Sequence, residues 1–124
     1  MKKYVIGDYV KMDNPDPGKF YRTQLLSDED RAKLLGGIFA IVVPGSDVPY
    51  HYHKVRESLI FVISGEGIEI VEGKEIPIKA GDLLFIPANE KHSLVNKAGS
   101  SQDLRYVEFF TQTTEGRDFI EVDK

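Results

Sequence analysis

The 124 residues, 41% hydrophobic and 29% charged, are enough for one soluble domain with a buried core. Sixteen Lys and Arg against twenty Asp and Glu give a net charge of −4, and a weakly acidic chain without basic runs is a poor partner for nucleic acid or an anionic membrane. The absence of cysteine excludes disulfides and thiolate metal sites.

No stretch approaches the roughly 20 apolar residues of a membrane span. The start, "MKKYVIGDYVKMDNP", lacks the apolar centre of a signal peptide, so a cytoplasmic protein is expected. "YVIGDYVKM" (4–12) reads as a first strand, closed by the breaker-rich "DNPDPGK", and "FYRTQLL" (20–26) as a second. "SDEDRAKLL" is either a short helical turn capped by Ser27 or a polar turn. "GIFAIVVPG" (37–45) is β-branched and ends at Pro-Gly. In "IEIVEGKEIPI", apolar and charged residues alternate, the pattern of strands with one face in water. "GDLLFIP" is continuously apolar and is expected to be buried. "HSLVN", "LRYVEFF" and "DFIEV" add three more strands. About eight to ten short strands joined by tight turns imply an all-β closed barrel or double-sheet sandwich, with almost no helix.

Two of the three histidines lie in "HYHKVRE" (51–57). On a strand, positions i and i+2 share a face, so His51 and His53 project together. That geometry suits two adjacent ligands on one cation, at about 2.0 to 2.1 Å for zinc. Glu57 follows with a carboxylate, and His92 lies one or more strands further on. Tyr50 and Tyr52 alternate with the histidines and face away. Arg56, Arg105 and Tyr106 are read as surface ion-pair residues in preference to contacts with an anionic substrate, Glu90 and Lys91 as a solvated turn, and Asn96 as a residue that bonds backbone or orients a neighbour.

These residues resemble the cupins, whose first motif is usually written G-x5-H-x-H-x3 or x4-E-x6-G. Here residues 45–65 read "GSDVPYHYHKVRESLIFVISG", with Gly45, His51, His53, Glu57 and Gly65 in the pattern. The second motif, G-x5-P-x-G-x2-H-x3-N, is matched at residues 81–96 by "GDLLFIPANEKHSLVN", with Gly81, Pro87, His92 and Asn96. Asn89 stands where the family has glycine, a mild change because asparagine tolerates the left-handed conformation better than most residues. Counting forward from His53 selects Glu57 as the motif glutamate. Counting back from Gly65 selects Ser58, and neighbours on a strand face opposite sides unless a bulge intervenes.

The resemblance implies one cupin domain over residues 1–124, a double-stranded β-helix or jelly-roll barrel. It implies one divalent transition metal ion (Fe, Mn, Ni, Co or Zn) held by His51, His53, Glu57 and His92, with a three-histidine site as the competitor. Nitrogen and oxygen donors without sulfur suit all five metals. Open metal positions point to a small-molecule ligand such as a carboxylate or sugar derivative. The expected function is a metal-dependent enzyme, the alternative a non-catalytic binding or sensor cupin. A homodimer is expected, formed through apolar edges in "LRYVEFF" and "FYRTQLL".

Overall fold

The computed structural model describes residues 1–112 and 118–123. Its strands in chain order are β1 (Tyr21–Gln24), β2 (Leu35–Val42), β3 (Ser46–Asp47), β4 (His51–Tyr52), β5 (Ser58–Ser64), β6 (Glu66–Val71), β7 (Lys74–Lys79), β8 (Leu83–Ile86), β9 (His92–Asn96), β10 (Leu104–Thr111) and β11 (Ile120–Glu121). One sheet has the order β1-β2-β10-β5-β8; the other runs β11-β4-β9-β6-β7, with β3 also paired to β9. All pairings are antiparallel. The two sheets face each other across a common interior, the double-stranded β-helix arrangement. Of these eleven strands, β3, β4 and β11 are only two residues long.

The tight connections follow from backbone chemistry. Gly65 turns between β5 and β6 at φ +79°, and a Cβ there would lie 2.2 Å from the Asp103 carbonyl oxygen. That close approach, with a positive φ, leaves room only for glycine. Asn89 takes φ +71°, as expected of the residue that replaces the family's glycine. Its N–H donates to the His53 carbonyl at 2.6 Å, joining the two histidine-bearing segments.

Two apolar clusters sandwich the first sheet. Ile38, Ala40, Val42, Ile60, Val62, Ile78, Ile86, Leu94, Leu104 and Tyr106 fill the barrel interior. Leu25, Phe39, Ile41, Val43 and Val107 form a second cluster, with Tyr4, Tyr9 and Met12 packed on it. β2 is buried on both faces for this reason.

That second cluster explains a difference from the sequence reading. Residues Ile6–Lys11, expected as part of a strand, form a helix, α1. Tyr9 and Met12 meet the sheet's outer face, while Ile6 and Val10 stay partly exposed. Arg105 donates through Nη1 to the carbonyls of Tyr9 and Met12, anchoring the end where carbonyls lack helical partners. Asp8 in the first turn and Lys11 in the last suit the helix dipole. "SDEDRAKLL" supplies a single 3-10 turn (Asp28–Asp30), with the Ser27 N–H donating to the Asp30 carboxylate.

Two further expectations are corrected. β8 is not continuously buried: Leu83 and Phe85 are exposed, while Leu84 packs against the interior and Ile86 is buried. It is an edge strand, so its side chains alternate in exposure despite their uniform apolarity. β10, expected as an exposed edge, is paired on both sides, with β2 and β5; β1 does lie at an edge. No helix among the described residues is long and apolar enough to cross a membrane.

Candidate metal centre

His51 on β4 and His92 on β9 are direct cross-strand partners. His53 lies two residues beyond His51 and so returns to the same face. The three rings are buried, and one ring nitrogen from each lies within 4.8 Å of the other two. A set this close would hold a single ion, for which nitrogen ligands lie at about 2.0 to 2.1 Å in the zinc case.

Each ring is fixed by its far nitrogen. His51 Nδ1 meets the Pro49 carbonyl at 2.6 Å, His92 Nδ1 the Glu90 carbonyl at 3.0 Å, and His53 Nδ1 the Asp118 carbonyl. A carbonyl oxygen only accepts, so each Nδ1 carries the proton and each Nε2 of a neutral ring presents a lone pair. His53 Nε2 is buried without a hydrogen-bond partner among the described residues. Burial, and next the neighbouring His92, push the His51 pKa down to about 3. Burial also lowers those of His53 and His92, against the opposing pull of their backbone carbonyls. Three neutral imidazoles, clustered and each with its Nδ1 committed to a carbonyl, fit a divalent transition metal by the chemistry of the donors.

Glu57 does not join them. It is exposed, and its backbone pairs with Thr111: its N–H donates to Thr111 Oγ1 and its carbonyl accepts from the Thr111 N–H. Ser58 opens β5 opposite Ile86 and Phe110, is 2% exposed, and occupies the buried place that the count back from Gly65 assigns. Glu57 immediately precedes β5 and is exposed where Ser58 is buried, so the two neighbouring side chains face opposite ways.

A segment near the C-terminus closes over the histidines. The Phe119 ring stacks on His51 at 4.1 Å between centroids and 15° between planes. The Asp118 carboxylate accepts from the N–H groups of Lys54, Val55 and Arg56 at 2.7 to 3.0 Å, fixing the corner that follows His53.

The histidines open into a cavity of about 640 Å³ inside the barrel. Ile38, Ile60 and Leu94 give it apolar walls; Arg56, Glu69, Tyr106 and Glu108 give it polar ones. Arg56 pairs with Glu108 at 2.9 Å and lies over the Phe110 ring, so its ion pair belongs to the cavity rather than to the outer surface. Tyr106 also lines the cavity, whereas Arg105 serves α1. Asn96 donates to the Val42 and Gln102 carbonyls, the backbone role expected of it. The sequence reading missed Glu69, Glu108, Asp118 and Phe119. The period of two in "LRYVEFF" carries a signal for Glu108, which shares a face with the buried Leu104 and Tyr106.

A barrel of two antiparallel sheets with three histidines converging inside it defines a class: the double-stranded β-helix proteins with an interior metal-competent site. The family model described as the cupin domain matches residues 38–110, and the chain belongs to the cupin family. It is 38% identical over 93 residues to an oxalate-binding protein of Thermotoga maritima, covering 73% of this chain and 74% of that protein. A solved structure of a predicted oxalate decarboxylase, also from Thermotoga maritima, superposes with a TM-score of 0.68 at 29% identity, over 77% of this chain and 83% of that one. A Klebsiella pneumoniae protein described as having a double-stranded β-helix domain gives a TM-score of 0.77 at 20% identity, over 100% and 99% of the two chains.

Proposed function

We propose that residues 1–124 act as one cytoplasmic cupin unit, a homodimer, in which His51, His53 and His92 hold a divalent transition metal. The unit is an enzyme acting on a small oxygen-rich carboxylic acid inside the barrel. The observation that carries this reading is the common tautomer, with three Nδ1 atoms committed to backbone carbonyls and the three rings clustered so that one nitrogen of each lies within 4.8 Å of the other two. When bound, the metal supplies Lewis acidity toward a coordinated oxygen and a positive centre for an anionic ligand. The protein's own groups do the rest. Backbone carbonyls hold the imidazoles in place, Ile38, Ile60 and Leu94 exclude water, and the Arg56–Glu108 pair fixes polar groups on the opposite wall. The two Thermotoga maritima relatives, one described as oxalate-binding and one as a predicted oxalate decarboxylase, favour a carboxylic acid over a sugar.

The same two relatives motivate the second reading, a cupin that captures its acid without turning it over. The deciding experiment is metal analysis of protein purified without a nickel column, then incubation with a panel of mono- and dicarboxylates and sugar acids. Product formation selects the enzyme. Saturable binding without product selects the capture protein, and the absence of both contradicts a carboxylic acid ligand.

A further inference from the structure

Glu69 lies on β6 directly across from Leu94, two residues along the strand from His92. Leu94 and His92 share a face of β9, so Glu69 sits one diagonal step from His92 on the wall of the same cavity. It is 2% exposed, and neither carboxyl oxygen has a hydrogen-bond partner among the described residues. Buried polar groups are ordinarily satisfied, and a lone buried carboxylate is more costly still. Leucine would fill this place without that cost. Burial, and then the Glu108 and Glu90 carboxylates, raise its pKa to about 9, which favours the neutral acid at pH 7 in the metal-free protein.

We propose that Glu69 recognises the far end of the ligand, and that the ligand is a small dicarboxylic acid. One carboxylate lies at the three histidines; the other accepts a hydrogen bond from the Glu69 carboxyl group. The inference rests on the metal reading above. A neutral acid donating to a carboxylate makes a short, charge-assisted hydrogen bond. It does so without adding a cation beside a divalent metal, whose charge a dianion balances. Arg56 is already committed to Glu108, whereas both Glu69 carboxyl oxygens lack a partner among the described residues. A monocarboxylate would reach only one of the two ends.

The test uses cobalt(II)-loaded full-length protein and two probes, malate and lactate, which share the hydroxy-acid end and differ in the second carboxylate. Calorimetry reads probe binding, and the cobalt visible spectrum reads the metal site. Wild type is expected to bind malate about tenfold or more tighter than lactate, the worth of one good buried hydrogen bond. Glu69→Leu should remove that preference and leave lactate affinity, cobalt affinity and spectrum unchanged. Glu69→Gln, which retains a donor and an acceptor, should recover most of the malate affinity. Equal malate binding by wild type and Glu69→Leu, with cobalt in place, overturns the proposal and leaves the metal reading standing. A wild type that binds cobalt but shows no malate preference also overturns it. Failure of wild type to bind cobalt overturns the metal reading and this proposal with it.

Discussion

At the scale of single residues, the site depends on keeping ionisable groups uncharged. His51, His53 and His92 are held neutral by burial and Glu69 is held protonated by it, and these shifts act on stability in opposite directions. A histidine whose folded pKa lies below 6.5 contributes stability that is present above 6.5 and lost as pH falls toward the folded value. Glu69, raised from 4.5 to about 9, contributes stability that is present below 4.5 and lost as pH rises toward 9. Urea unfolding of the metal-free protein should therefore show Glu69→Gln gaining on wild type between pH 5 and 9, by at most about 1.4 kcal/mol per pH unit. Below pH 6.5 the variant's stability should fall more steeply than that of wild type. Parallel curves would show that Glu69 is ionised in the folded protein. The histidines were legible in sequence because a two-residue spacing forces them to one face. Glu69 was not: "IEIVEGKEIPI" alternates correctly, but alternation does not say which face is inside, and the usual assumption puts the charge in water.

At the scale of elements, the short segment at Asp118–Phe119 supports the histidines more than its length suggests. Asp118 contributes a backbone carbonyl to His53 and a carboxylate to three N–H groups of the 54–56 corner, and Phe119 covers His51. Asp118→Ala removes the carboxylate that holds this corner, and should weaken cobalt(II) affinity roughly 10- to 100-fold, as is typical when support behind a metal ligand is lost. Circular dichroism should stay native and Asp118→Asn should recover part of the loss. Unchanged affinity in a competition titration would show that the corner holds without it. Nothing in "DFIEV" announces this role, because it arises from contacts more than sixty residues away in sequence. The misread of 4–12 has a similar origin. Its apolar residues fit a strand as well as a helix, and what selects α1 is the outer face of β2 and β10, together with Arg105 from the far end of the chain.

At the scale of the whole molecule, α1 and its neighbours cover only part of the outer face of the five-stranded sheet. Beyond them, Leu59, Leu83 and Phe85 are 45%, 63% and 56% exposed, with Leu59 directly opposite Phe85. An apolar cross-strand group of this kind on an edge strand is suited to pairing with a second copy. Light scattering at micromolar concentration should give a dimer, and Leu83→Asp with Phe85→Asp should give a monomer that still binds metal. A wild-type monomer would contradict the homodimer. The overall barrel was readable from short strands, turn residues and the two histidine motifs, whereas the surface that the barrel leaves uncovered depends on which of its faces the N-terminus packs against. The central claim is that three histidines, and not Glu57, form the protein's metal shell. X-ray absorption spectroscopy of the cobalt(II)-loaded protein, wild type and Glu57→Ala, tests it most directly. Three imidazole ligands at about 2.0 to 2.1 Å in both proteins, with unchanged affinity, is the predicted result; loss of a light-atom ligand and weaker binding in Glu57→Ala, or a shell with fewer than three imidazoles, would contradict it.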